Sequence, residues 1–534
     1  MTRLLFLIFL LLLEACSPPD YLTRQPEDQV LVLNIYSEPP TLDPGKAVDL
    51  SSVNTIGLLF EGLTRPSSLG KTALAVAERV ETSTDGLTYT FHLRPSLWSN
   101  GDPISAKDFE YAWKRILSPS FPASFAYQLY VIKNARAAKE GNITVDEVGI
   151  EALDERILRV TLAQPTPYFL EMLSLPCFLP VHRSTVKNHE DWAYEAGPLF
   201  VSNGPFTLES WTHHNELRVK RNPKYWDAEK VRLKEVILLM VEDVNTELGL
   251  FEDGVIDWAG KPISMGLPTD AIPALLKRDQ LELQPMAATY FYLLNVKEFP
   301  FNHVKMRRAF ALAINRKAIV ENILQGGEQP ATGIIAPPLS LQQAPYFNDH
   351  DLPAARKLFQ EALTELGVNK ESLPKITLSY NTGESHHKVA QAVQQQWERA
   401  FGIRVGLENL EWKVYLDKIE HRHYSIARMS WVAAFNDPIS FLDIFKEGDN
   451  VMNLTGWENE EYTGLLNASM TEKDSKRRLE LLRKAETKLI EEMPVIPVYH
   501  LTNSFMKKKS LKNVVISPTG WIDFKEAYFE TDSP

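Results

Sequence analysis

Apolar positions recur along the chain with two periods. Val389, Val393, Trp397 and Ala400 fall three or four residues apart and predict an amphipathic helix ending near Gly402. Leu479, Leu482, Ala485 and Leu489 predict another, stopped by Met493-Pro494. Leu87 to Arg94 alternates instead, after the turn Asp85-Gly86, and predicts a half-buried strand. Val30 to Ile35 predicts a short apolar strand, Ser37 to Pro44 a turn-rich loop, and Ser51 to Gly62 a helix ending at that glycine. Trp98 to Pro103 reads as a turn, after which Ser105 caps a helix through Phe109, Trp113 and Ile116, with Asp108 placed three residues on to complete a capping box. Short strands alternating with such helices predict mixed α/β lobes.

The run Ala427 to Phe435 reads as a strand until Asn436-Asp437-Pro438 turns it, because proline fixes its own φ and biases the residue before it away from helix. A strand end of this kind offers unpaired main-chain groups to a guest, and Arg428 offers a donor fork for a carboxylate. We take this stretch as the ligand-binding element.

At 534 residues the chain exceeds one ordinary core, so two or three domains are expected. The net charge of −12, with no basic run beyond Lys507-Lys508-Lys509, argues against a nucleic-acid partner and leaves that triplet as a solvated loop. The first residues read as an export signal: Arg3, an apolar run from Leu4 to Leu13, then Ala15-Cys16. That run is too short to span a hydrocarbon core of roughly 30 Å. Ser17 to Gln29 is polar and proline-bearing, a tether.

No catalytic constellation appears: G-x-S-x-G, H-E-x-x-H and G-x-G-x-x-G are all missing. Leu69-Gly70-Lys71-Thr72 suggests a phosphate loop, but Arg65 stands where its first glycine must be. His213-His214, His386-His387 and His421-x-His423 lack the further ligands of a closed metal site. No catalytic residue, metal or cofactor is therefore expected.

Several blocks resemble, in order, those of the oligopeptide-binding proteins of ABC importers, the large solute-binding proteins that also serve dipeptide and nickel uptake. They are Asp85-Gly86-Leu87-Thr88-Tyr89-Thr90-Phe91-His92-Leu93-Arg94 with Trp98-Ser99-Asn100-Gly101-Asp102-Pro103, Asn203-Gly204-Pro205-Phe206, Arg221-Asn222-Pro223-Lys224-Tyr225-Trp226-Asp227, Thr289 to Asn295, and Ile496-Pro497-Val498-Tyr499. Leu13-Glu14-Ala15-Cys16 resembles a bacterial lipoprotein signal, which implies lipid on Cys16 and residues 1–16 as the signal segment. The resemblance implies an α/β, periplasmic-binding-protein-like fold: two main mixed-sheet lobes around a hinged cleft plus an inserted lobe. Lobe I is then 30–50, 184–286 and 502–534, lobe II is 51–183 and lobe III is 287–501, with hinges near Pro285 and Thr502. It also implies a monomer that captures peptides or peptide-like solutes in the periplasm, or lipid-anchored on the outer face of the cytoplasmic membrane, and delivers them to an ABC permease complex. The alternative is an exported hydrolase acting on peptides or cell-wall fragments.

By position the resemblance places Trp431 and Val432 on the strand that meets the peptide, Arg428 and His386 at its carboxyl end, and Glu38 as an acidic cleft residue. Ala434 stands where most relatives carry the aspartate that holds the peptide's α-ammonium. The loss of such an acceptor costs roughly 2–5 kcal/mol. A ligand with a blocked amine, a peptidoglycan-derived peptide or a metal chelate is then as open as a free peptide.

Overall fold

The computed structural model describes residues 20–67, 72–448 and 452–531. The signal segment with Cys16, and Leu69 to Lys71 of the suggested phosphate loop, lie outside the described residues. Residues 20–29, expected as a tether, instead form two short 3-10 turns, Asp20–Thr23 and Pro26–Asp28. What holds them is Asp257, a fully buried carboxylate that accepts from Arg24 at 2.7 Å and meets Lys508 at 2.7 Å; with Lys507 on Glu282 at 2.9 Å, two members of the lysine triplet expected to be solvated are in ion pairs.

Strand β1 (Val30–Asn34) leads through the turn-rich loop to helix α1 (Leu50–Leu59), capped by the Asp49 carboxylate on the Ser52 amide. The helix stops at Leu59 rather than Gly62 for a tertiary reason. The Leu59 carbonyl accepts from the Gly204 amide at 2.8 Å, and the Asn203 side chain bonds both main-chain groups of Glu61 at 2.9–3.0 Å. A Cβ on Gly204 would lie 2.5 Å from the Leu59 carbonyl carbon, so the Asn203-Gly204 block is a docking strip for the end of α1.

The inserted part carries an antiparallel sheet of β2 (Ala77–Thr82), β3 (Thr88–Leu93), β4 (Ile150–Ala152) and β5 (Ile157–Thr161), in the order β2-β3-β5-β4. In β3, Tyr89, Phe91 and Leu93 are buried while Thr88, Thr90 and His92 are only partly so. Helix α2 (Ala106–Leu117) covers it with Phe109 and Trp113 and opens on the expected capping box, the Ser105 amide donating to Asp108 at 2.8 Å.

The chain then returns as β6 (Phe206–Thr212), β7 (Glu216–Arg221) and β8 (Glu235–Leu239), which complete a sheet in the order β1-β8-β7-β6 with β1 parallel to β8. The remaining main sheet contains β9 (Trp258–Gly260), β10 (Glu282–Leu294), β11 (Ile376–Asn381), β12 (Val405–Leu410), β13 (Ile426–Val432) and β14 (Val495–Lys507), in the order β9-β14-β10-β13-β11-β12. Helix α3 (Glu384–Phe401) lies between β11 and β12 and ends on Gly402 at φ 66°, while α4 (Ser475–Glu492) ends on Met493 at φ 49°.

Two long antiparallel strands, β10 and β14, run from the first sheet's side of the molecule into this second one. Pro285 and Thr502 are register partners at the point where their pairing slips, between Pro285 and Thr289. Among the described residues no helix is long and apolar enough to cross a membrane.

Candidate functional site: an open strand edge and the cavity at its end

Strand β13 pairs with β10 along its whole length, from Leu294↔Ile426 to Ala288↔Val432. Its other edge is shared with β11 only at Ile426 and Ala427. Amide direction alternates along a strand, and the Ala433 amide donates to Ala287 on the β10 side, so Ser430 and Val432 point their main-chain groups away from β10. Among the described residues those groups have no strand partner.

Side chains alternate as well. Arg428 and Ser430 share a face with Tyr290 and Tyr292 of β10, while Met429 and Trp431 face the opposite core. The Arg428 guanidinium carbon sits 4.9 Å from the centre of the Tyr290 ring, and its amines reach Asn381 Oδ1 and Ser430 Oγ at 3.2 Å each. Its Nε is buried without a partner, and among the described residues no carboxylate is paired with it.

His386, near the start of α3, lies over the same tyrosine with ring centroids 5.8 Å apart, and its Nδ1 is likewise buried and unpartnered. Burial, then the positive charge of Arg428, pushes its pKa down to about 4. The pocket thus holds a neutral imidazole beside an uncompensated cation, an arrangement that favours an incoming anion.

At the other end of β13 a cavity of about 590 Å³ opens between the start of α1, residues 125–128 and 171–177 of the inserted part, the 431–436 segment and the C-terminal turn 517–521. Trp431, Val432 and Ala434 line it. Trp431 is held by its indole Nε1, which donates to the Ser440 carbonyl at 2.7 Å, and the Ala434 amide donates to Ser440 Oγ at 2.9 Å.

Phe435 stacks on Tyr168 at 4.7 Å and 2°, tying this segment to the inserted part. Asp437 is not free to serve a ligand: Arg478 of α4 grips both its oxygens at 2.7 and 2.9 Å in a buried, bidentate pair.

The six expected binding residues therefore fall into three places. Arg428 and His386 share the tyrosine pocket; Trp431, Val432 and Ala434 share the cavity; Glu38 lies in neither. Glu38 accepts from Trp211 Nε1 at 3.0 Å and pairs with His213 and with His214 at 2.8 Å. Burial would raise its pKa, but bonds to His213 and Trp211 and the nearby His214 hold it below the usual value.

The cavity also contains a residue the sequence reading passed over. Glu171, in the short helix Phe169–Met172, accepts from the Thr72 hydroxyl and lines the same cavity as the β13 end. Its only signal in the sequence is a single acid set among Phe169, Leu170 and Met172. Burial raises its pKa, with the Thr72 bond opposing and Asp437 adding to the rise.

Comparison with known proteins places this geometry. The chain is 42% identical over 537 residues to the "Oligopeptide-binding protein OppA" of Bacillus subtilis, covering 98% of each. It is 32% identical over 501 residues to the "Periplasmic murein peptide-binding protein MppA" of Escherichia coli, covering 92% of this chain and 91% of that one. Among solved structures, it matches the unliganded open form of a murein tripeptide-binding MppA with a TM-score of 0.82 at 30% identity, covering 94% of this chain and 98% of that one. It matches Haemophilus influenzae OppA in complex with the peptide RPPGFSPFR with a TM-score of 0.76 at 29% identity, covering 95% and 100%. The family model "Bacterial extracellular solute-binding proteins, family 5 Middle" spans residues 71–453, and on that match, with near full-length relatives above 30% identity, the chain belongs to family 5 of the bacterial extracellular solute-binding proteins.

Proposed function

We propose that the protein captures oligopeptides or peptide-like solutes outside the cytoplasmic membrane and delivers them to the permease of an ABC importer. The observation that carries this reading is the open edge of β13 between Arg428 and the cavity. An extended guest can bond its main chain to Ser430 and Val432, which discriminates little between sequences because the backbone is common to all peptides. From Arg428 to Val432 the strand runs roughly 13 Å, about four extended residues. A terminal carboxylate at Arg428 would supply the anion that the pocket lacks, and His386 would then gain a partner for its proton.

The hinge follows the same reading. Pro285 and Thr502, opposed at the slip between β10 and β14, are where rotation would bring the two main sheets together over the guest. Membership of a solute-binding family supports capture over the alternative of hydrolysis. Lipid on Cys16 would hold the monomer at the membrane beside its permease.

The test is mass spectrometry of the ligand released from protein purified without denaturation and then incubated with a mixed peptide pool. Recovery of intact peptides is expected. Steady cleavage that survives repurification would overturn the reading in favour of a hydrolase.

A further inference from the structure

The cavity at the end of β13 is lined mostly by apolar groups, and among the described residues no lysine, arginine or histidine lines it. Among the described residues two carboxylates reach it, Asp49 and Glu171. Asp49 is committed as the cap of α1, accepting from the Ser52 amide at 2.9 Å. Glu171 has only the neutral Thr72 as a side-chain partner among the described residues, and no cation pairs with it. Asp437, close enough to affect Glu171, is itself neutralised by Arg478 and does not line the cavity. Ala434, which also lines the cavity, contributes a methyl.

A half-buried carboxylate with no counter-charge, set in an apolar enclosure, is the complement of a primary ammonium on an otherwise apolar group. We propose that Glu171, positioned by Thr72, holds an ammonium of the bound ligand in this cavity, so that the site selects for peptides with a free amine.

The assignment rests on the peptide-capture reading and deepens it. On this view the charge that no group at position 434 supplies comes from the inserted part of the molecule, which shares the cavity with the strand end. The ligand then bridges two separate parts of the fold: its amine meets the inserted part, and its main chain and carboxylate meet the second main sheet. The ammonium can come from the α-amine or from a side chain, and the probes separate the two.

Calorimetry of the full mature chain with trialanine, N-acetyl-trialanine and N-acetyl-Lys-Ala-Ala gives the readout. Wild type should prefer an ammonium-bearing probe over N-acetyl-trialanine by at least about ten-fold. Preference for trialanine alone assigns the α-amine, and preference shared by the lysine probe admits a side-chain amine. Glu171→Gln, nearly isosteric, should abolish the gap by weakening only the ammonium-bearing probes. Thr72→Val leaves the charge and removes its support, and should narrow the gap, which keeps the assignment testable if Glu171→Gln folds poorly.

A gap that survives Glu171→Gln, or that Thr72→Val leaves unchanged when the other variant does not fold, overturns the assignment. Wild type that binds all three probes alike overturns it too, yet leaves peptide capture standing. Wild type that binds none of these and retains nothing from a mixed peptide pool overturns both.

Discussion

Replacing Arg428 with methionine separates a ligand-binding cation from a structural one. The substitution keeps the apolar stem that packs along β13 and removes the charge and its donors. In the free protein Arg428 makes two long bonds to neutral acceptors, at 3.2 Å, and one cation–π contact at 4.9 Å, with no carboxylate partner among the described residues. Those contacts contribute about 0.5–1.5 kcal/mol each, and the guanidinium's own partial desolvation opposes them. Unfolding free energy of the unliganded protein should therefore change by no more than about 1 kcal/mol.

Binding should change far more. Truncating one side of an enclosed, hydrogen-bonded charge pair costs about 2–5 kcal/mol, or roughly thirty-fold to several-thousand-fold in affinity. The assay is calorimetry of one tetrapeptide as its free acid and as its carboxamide, against wild type and Arg428→Met. Only the acid in wild type should bind tightly, and the substitution should leave the amide nearly unaffected. NMR of the imidazole gives a second readout: without the neighbouring positive charge, the His386 pKa should rise from about 4, while burial, the larger cause, keeps it below the usual 6.5. If the substitution weakens acid and amide equally, Arg428 does not meet a carboxylate; if it unfolds the protein, the residue is structural.

Asp437→Asn should destabilise the protein by about 3–5 kcal/mol in urea melts at neutral pH, because it leaves the Arg478 cation buried without its charge partner, and a loss below 1 kcal/mol would contradict that account. Glu486, whose pKa burial raises from 4.5 to about 7, binds more protons folded than unfolded across that window, so its contribution to stability is present below pH 4.5 and lost as pH rises through about 7. Glu486→Gln should make the change in unfolding free energy from pH 5 to pH 8 more favourable than in wild type, and identical pH slopes would sink the idea. Cys16→Ser should move the protein from the membrane fraction to the soluble fraction on cell fractionation, and wild-type protein found wholly soluble would rule out the anchor.

The relation between sequence and fold is clearest element by element. Periodicity located α3 and α4 because Val389, Val393, Trp397 and Leu482, Ala485, Leu489 must each fall on one buried face, although Leu479, expected on the α4 face, is exposed while its neighbour Arg478 is buried on Asp437; a glycine at 402 can take the left-handed turn that ends a helix. The Ser105–Asp108 box and the alternation of β3 were equally legible, since each is satisfied within a few residues of itself. The sequence of β13 also carried its candidate cation, Arg428, but not its end: the strand expected to run to Phe435 stops at Val432, beyond which the Ala434 amide donates to the Ser440 hydroxyl instead of a strand partner.

Other features depend on residues far apart in the chain, and only the tertiary structure decided them. Helix α1 stops at Leu59 because Gly204 takes its last carbonyl, more than a hundred residues away, and residues 20–29 dock because Asp257 is buried beneath them. Which edge of β13 is open depends on β11 ending its pairing at Ala427. That Asp437 is locked by Arg478 while Glu171 is left without a cation follows from where helix α4 and the inserted part come to rest, a matter of packing that no local pattern encodes. Local hydrogen bonding and side-chain period act over a few residues and can be read along the chain, whereas burial and charge pairing are properties of neighbours that only folding brings together.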